Sequence, residues 1–259
     1  MLYKLYLVIK TIKNFPIAFF DKLGFIHGFI IYKIRGTTLE ISARGGTEDM
    51  AEIVVVLAGD EYDLKKIVLP KNPTIFDLGA HIGTFSIYIS HKLKNKCKIF
   101  AYEPDSENFK LAQKNLQVNK VKNINLQRLA ISDYKGRGFL EKRNLNTDAY
   151  HLEFSKKSKV EKNCDVSTII AEVKKERIKK IDILKMDIEG GEYSIFLHKP
   201  SLMYIKKNVH FIFIEVHNIN KNLNYSKIEK IIEDNFKIIG KKKSVLTLEN
   251  LRWKEGNKV

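Results

Sequence analysis

An α/β fold built on an open nucleotide-binding sheet is what the sequence predicts, and three observations carry that prediction. A short apolar run, Thr74-Ile75-Phe76, ends in Asp77, turns through Gly79-Ala80-His81 and Gly83, and continues into apolar positions of helical spacing at Phe85, Ile87, Tyr88 and Ile89. A second apolar run, Lys98 to Tyr102, ends in Glu103, 20 residues after Gly83, about where such a sheet carries the acid that holds ribose hydroxyls. Two further runs with the character of buried strands, Ile181 to Met186 and His210 to Val216, also finish at acids, Asp187 and Glu215.

The glycine turn has a physical rationale. The chain must reverse sharply and approach a ligand closely, which a Cβ would obstruct. The helix behind it offers free N–H groups and the positive end of its dipole to an anion. His81 stands where the dinucleotide fingerprint has glycine, which argues for an adenosine ligand other than a nicotinamide cofactor.

Taken in order, the chain opens with apolar residues and scattered lysines as far as Arg35. The longest uncharged run, Leu23 to Tyr32, falls below the roughly 20 residues that span a bilayer. Lys10 and Lys13 interrupt what would be the apolar core of a signal peptide. One reading is a helix and strands packed on the main domain. The alternative is an interfacial segment, with Phe15, Phe19, Phe20, Phe25 and Phe29 in lipid beside Lys4, Lys10, Lys13 and Lys22. Thr38 to Ala43 alternates as a strand does, and Met50 to Leu57 has helical spacing. After the glycine unit come a helix over Ser106 to Val118, capped by Asp105 or Ser106, and a strand over Ile124 to Leu129 that leads to Ile131-Ser132. Tyr134 to Lys162 is polar and too long for a simple connection, so it is a hairpin excursion or a lid. A helix over Ser167 to Ile178, the strand ending at Asp187, and a helix begun at Tyr193 follow. Then come the strand ending near Glu215, a helix over Tyr225 to Asn235 and a closing antiparallel pair. The division expected is an N-terminal extension over residues 1–50 and a main domain over 51–259.

Composition bounds the function. A chain of 259 residues with 44% hydrophobic content supports one well-packed domain and excludes wholesale disorder. Cys97 and Cys164 have no neighbouring Cys or His in metal-ligand spacing, so they read as reduced thiols of a cytoplasmic protein and not as a metal site or disulfide. The net charge of +16 suggests an anionic partner without naming it, and genome composition would produce the same surplus.

Ligands of open α/β sheets bind beyond the carboxyl ends of the strands. The residues placed there are Asp77, Glu103, Ala130 to Asp133, Asp187 to Glu189, and Glu215 to His217. Each has an ordinary alternative, since a strand-end acid also caps helices and a histidine after a buried strand is often only hydrogen-bonded.

Four segments in order, DLGAHIGTFS (Asp77 to Ser86), AYEPDSENF (Ala101 to Phe109), LKMDIEGGEYSIF (Leu184 to Phe196) and FIEVH (Phe213 to His217), resemble the FkbM-type methyltransferases. The resemblance covers roughly Arg44 to Leu248, with Gly191 where the family more often has alanine. It implies a Rossmann-like class I methyltransferase: a mostly parallel seven-stranded sheet with helices on both faces, binding S-adenosyl-L-methionine. On that resemblance Asp77, Gly79, Ala80, His81 and Gly83 cradle the methionine part, Glu103 holds the ribose, and Pro104, Ile131 and Ser132 border adenine. Asp187 is then the candidate base or acceptor anchor, with Glu189, Glu192, Glu215 and His217 as further candidates. The acceptor implied is a sugar, glycan or other hydroxylated small molecule. Hard oxygen ligands at Asp187 and Glu215 would admit a divalent ion bridging them and a sugar diol, though no spacing demands one. RNA methylation, and a non-catalytic protein that binds membrane or nucleic acid through its basic surface, are the alternatives.

Overall fold

The computed structural model describes residues 2–58, 62, 64–142, 150–153, 161–218, 224–242 and 244–253. Two helices, α1 (Leu2–Thr11) and α2 (Phe15–Lys22), precede a hairpin of β1 (Phe29–Lys33) and β2 (Glu40–Arg44), and α3 (Asp49–Ala58) follows. The main sheet is built from β3 (Thr74–Leu78), β4 (Lys98–Tyr102), β5 (Ile124–Gln127), β10 (Ile181–Met186), β11 (Val209–Glu215), β12 (Phe236–Lys242) and β13 (Val245–Asn250). Its order is β12-β13-β11-β10-β3-β4-β5, and only β13 runs against its neighbours. This is the predicted Rossmann-like α/β architecture.

Both faces of the central strands are apolar because helices cover both. On one face Ile75, Ile99, Ala101, Ile183, Phe211 and Phe213 meet Phe85 and Ile89 of α4 (Thr84–Lys92) and Val56 of α3. Alternate residues of the same strands, among them Phe76, Phe100, Leu184 and Ile212, face the other way. They pack against α6 (Ile169–Lys175), α7 (Glu192–Leu197), α8 (Lys199–Asn208) and α9 (Ser226–Asn235). A third apolar cluster joins the hairpin to the body through Tyr32, Ile41, Ile53, Ile82, Ile87 and Leu111, the last on α5 (Ser106–Val118). Asn115 of α5 fastens this joint. It accepts the Ser42 N–H (2.7 Å) and donates to the carbonyls of Ser42 (3.0 Å) and Ile82 (2.9 Å).

The segment after β5 is a hairpin excursion among the described residues. β6 (Ala130–Ser132), β7 (Gly136–Lys142), β8 (Tyr150–Glu153) and β9 (Glu161–Thr168) form a separate sheet of order β6-β9-β7-β8. Of the Tyr134 to Lys162 segment expected to be an excursion or a lid, residues 143–149 and 154–160 lie outside the described residues. Several boundaries differ from expectation, among them the strand expected over Thr38 to Ala43, which spans Glu40–Arg44, and the helix expected to reach Ile178, which ends at Lys175. The third strand stops at Gln127 instead of Leu129. Ser167 and Thr168 belong to β9, where they pair with Ile131 and Ser132. Thr168 instead caps α6, its hydroxyl accepting the Ala171 N–H. The β-branched and hydroxyl residues preceding the helix favour the extended conformation there.

Candidate active site at the carboxyl ends of the central strands

Strand order reverses between β3 and β10, and a crevice opens beyond their carboxyl ends, as in other doubly wound sheets. A cavity of about 310 Å³ lies there. Its floor is Leu78, Gly79 and His81 from the glycine turn, with Asp187, Ile188, Glu189 and Gly191 from the turn after β10. One wall is Tyr102, Glu103, Pro104, Asn108, Leu129, Ala130, Ile131 and Leu140, and the rim adds Glu48, Asp49 and Glu52 of the α3 start.

The two turns touch. Gly79 has φ +78°, and a Cβ on it would stand 1.9 Å from the Asp187 carbonyl oxygen. Lys185, a buried cation in an apolar strand, holds them together. Its Nζ donates to the Gly79 carbonyl (2.6 Å) and lies 3.3 Å from Asp77 Oδ1, opposite it in strand register, and 3.6 Å from Asp187 Oδ2. Burial alone would depress this amine, but Asp77 and Asp187 outweigh it and raise its pKa well above the ordinary value. Asp77 is wholly buried, accepts the Ser86 hydroxyl (2.6 Å) and lies behind the cavity surface. Ala80, Gly83 and Ser132 also lie outside the lining. Ser132 is turned to Ser194 (3.0 Å). Gly83, at φ +85°, starts α4.

At the ribose end the backbone N–H groups of His81 (2.7 Å) and Asp105 (2.9 Å) donate to opposite oxygens of Glu103. The Asn108 amide adds a long bond to Oε1 (3.5 Å); a carboxylate has about four acceptor positions, so capacity remains on Oε2 for a ligand hydroxyl. Burial raises the Glu103 pKa, and His81 and those N–H groups only partly offset it. Asp105 caps α5 by accepting from Glu107 and Asn108 (both 2.9 Å), which sets Asn108 in the wall. The Asn108 Oδ1 is buried and accepts no hydrogen bond among the described residues. An orphaned acceptor beside Glu103, amid Leu129, Ile131, Pro104 and Tyr102, fits an adenosine moiety, which brings N–H and O–H donors and an apolar ring face.

His81 takes φ +50° and is clamped by acids. Its Nδ1 is ion-paired with Glu52 and its Nε2 lies 3.4 Å from Asp49 Oδ1, while Arg44 forks onto Asp49 (2.9 and 2.7 Å). Burial pulls this imidazole down, but Glu52, Asp49 and Glu103 prevail and lift it to about 9. Asp49 in turn is lowered: burial opposes this, and the Arg44 bonds and His81 overcome it.

At the opposite end Asp187 and Glu189 meet His217, which follows β11. The imidazole Nε2 lies 3.8 Å from Asp187 Oδ1 and 3.6 Å from Glu189 Oε2. Its Nδ1 is 3.1 Å from Glu192 Oε1. A carboxylate only accepts, so Nδ1 carries the hydrogen. Burial lowers the His217 pKa, and Glu192, Glu189 and Asp187 raise it further, to about 9. These donor atoms of Asp187, Glu189 and His217 are the group among the described residues with the spacing of metal ligands. Glu215 stands apart from the cavity, accepting the Ser244 hydroxyl at 2.5 Å. Burial and Asp187 raise its pKa against that hydrogen bond. Four contributors escaped the sequence reading: Glu48, Glu52, Asn108 and Lys185. Lys185 carried a signal, since a charge inside an apolar strand requires a buried partner.

The parallel sheet, the glycine turn and the acid at the second strand end define a class I methyltransferase whose cofactor is S-adenosylmethionine. The profile of the methyltransferase FkbM domain matches residues 77–238, and the chain belongs to that family. A methyltransferase of Sordaria araneosa, sdnD, is 41% identical over 58 residues, which is 22% of this chain and 21% of that protein's length. Among solved structures, TrmK of M. capricolum, in complex with S-adenosylhomocysteine, is 13% identical with a TM-score of 0.39, covering 73% of this chain and 67% of TrmK. WbdD is 12% identical with a TM-score of 0.45, covering 77% of this chain and 40% of WbdD.

Proposed function

We propose that this methyltransferase acts on oxygen, transferring the methyl group to a hydroxyl of a sugar, glycan or similar small metabolite. The observation that carries the reading is the Asp187–Glu189–His217 group, which stands beside the cofactor cavity at the strand-order switch point. When bound, S-adenosylmethionine supplies an electrophilic methyl on a sulfonium. The chain's own task is to hold a hydroxyl in line with it and take its proton. Asp187 serves as anchor and proton acceptor, steered by Lys185 on one oxygen and His217 on the other. Glu189 shares His217, and Glu215 adds negative charge behind Asp187. Glu103, Pro104, Ile131, Gly79 and His81 hold the cofactor directly, with Asp77, Ala80, Gly83 and Ser132 supporting them from behind. The test is transfer of radiolabelled methyl to glycan and RNA pools by the full chain. Label in RNA alone overturns the reading.

A second reading concerns residues 1–50, which we propose as an extension that meets an anionic membrane. Phe19, Phe20, Leu23 and Phe25 are 53%, 51%, 51% and 71% exposed, with Phe20 in ring contact with both Phe19 (6.2 Å) and Phe25 (6.4 Å). Lys13 and Lys22 are exposed beside them. No described helix is long and apolar enough to cross a membrane, so insertion of the rings at the interface, aided by the lysines, is the mode supported. Asp21 ties this patch to the cleft, accepting the Tyr32 hydroxyl (2.5 Å) and the Gly46 N–H (2.6 Å), two residues before Glu48 of the rim. The free, buried cysteines suit a reducing, cytoplasmic location.

A further inference from the structure

We infer that Asp187, Glu189 and His217 hold a divalent cation at the acceptor end of the cavity. The inference rests on that end being where the acceptor hydroxyl lies. One ligand atom from each side chain falls within 4.8 Å of the other two, the imidazole Nε2 lying 3.8 Å from Asp187 Oδ1 and 3.6 Å from Glu189 Oε2. Ligands sharing an ion at about 2.0–2.2 Å stand roughly 3 Å apart. The three side chains are 31%, 28% and 14% exposed, so they have room for that small contraction.

An independent observation lies behind the imidazole. Glu192 is wholly buried, and its Oε1 holds the Nδ1–H of His217. Its other oxygen, Oε2, is buried without a hydrogen-bond partner among the described residues. An unpaired buried carboxylate oxygen is costly. It is retained here in the position from which a second carboxylate turns a histidine's remaining nitrogen toward a metal. Charge points the same way. Asp187, Glu189 and Glu192 surround one imidazole, and the nearby cation Lys185 is shared with Asp77.

Two carboxylate oxygens and one imidazole, with the remaining positions open, suit Mn²⁺, Mg²⁺ or Zn²⁺. Asp187 and Glu189 line the cavity, so an acceptor bound there would have access to the ion. A hydroxyl of the acceptor reaching the ion there would lose its proton more readily and be fixed in place, two of the effects a metal ion supplies. A simpler arrangement, an imidazolium surrounded by carboxylates with no metal affinity, is the competing description.

The experiment is titration of the metal-stripped full chain with Mn²⁺ alone, read by the loss of the free-ion electron paramagnetic signal and by calorimetry. One saturable equivalent is expected. Glu189→Gln and His217→Gln should each weaken it at least tenfold, and Glu192→Gln about 10–100-fold. Asp165→Asn, on the exposed excursion sheet, should leave it unchanged. Circular dichroism melts establish that each variant folds. Should Glu192→Gln not fold, the partly exposed Glu189 and His217 decide the matter. Absence of saturable binding in the wild-type chain overturns the site, as does equal affinity in Glu189→Gln and His217→Gln. Methyl transfer is scored separately. Binding of Mn²⁺ without transfer to any hydroxyl acceptor sinks the O-methylation reading and leaves the cation site standing.

Discussion

Gly79 and Asp187 lie in backbone contact across the switch point, so close that no side chain fits between them. Gly79→Ala must place its methyl against the Asp187 carbonyl oxygen and adopt a positive φ. Left-handed backbone costs about 1–3 kcal/mol for a non-glycine residue and overpacking a similar amount. Denaturant unfolding should show a loss of about 2–5 kcal/mol, and a loss below about 1 kcal/mol would mean that the two turns separate easily.

Glu103 is better tested with glutamine than with alanine. Alanine would orphan the His81 and Asp105 N–H groups that the carboxylate accepts. Glu103→Gln keeps one acceptor oxygen, so it orphans one of those N–H groups instead of both, and it loses the charge-assisted bonds to ribose, each worth about 1.5–3 kcal/mol. Calorimetry with S-adenosylhomocysteine should show at least a tenfold weaker affinity in a folded protein.

Asp187→Asn is nearly isosteric and removes both charge and basicity. Methyl transfer should fall roughly 10²–10⁴-fold, with cofactor affinity nearly unchanged because the ribose contacts lie at the other end of the cavity. Near-normal turnover would move the role to His217 and Glu189.

His81 makes stability depend on pH. Burial opposes the shift, but Glu52, Asp49 and Glu103 outweigh it and set the folded pKa at about 9, above the ordinary 6.5. A raised pKa gives stability that is fully present below about pH 6.5 and is lost as pH rises through about 9. His81→Asn tolerates the positive φ but cannot ionise. The stability advantage of wild type over this variant should shrink by about 1–3 kcal/mol between pH 6 and pH 10, and an advantage independent of pH would refute the charged clamp.

Membrane contact is measured with vesicles. The full chain should sediment with phosphatidylserine-containing vesicles at low salt and release them as salt rises. The triple variant Phe19→Ser, Phe20→Ser, Phe25→Ser should stay in the supernatant. Equal sedimentation of the two would show that the aromatic cluster has another use.

The apolar runs and the residues that end them made the central sheet legible, because strands buried on both faces read as continuous hydrophobic segments. Gly79, Glu103 and Asp187 were legible for a related reason: polar residues at the tips of such strands have few roles besides a ligand or a cap. What escaped depends on contacts far apart in sequence. Glu52 reaches His81 from a different helix, and nothing local in its surroundings marks it. Asn108 reads as an ordinary helix residue until Asp105 fixes the start of α5. The excursion strands lack strong alternation, since they bury only a small cluster around Leu140, Cys164 and Val166.

The pairing of β3 with β10 also bears on how the chain is made. The Thr74 N–H finds its acceptor on Asp182, 108 residues further along, so the centre of the sheet stays open while everything between is synthesised. Such long-range parallel pairing is slow, because loop closure precedes any gain from contact. During that interval β3 has only β4 as a partner, with β5 beyond it, and its other edge is an exposed apolar template. A ribosome stalled before Ile181 would therefore present an incomplete, adhesive half-sheet, making this chain a demanding client for chaperones.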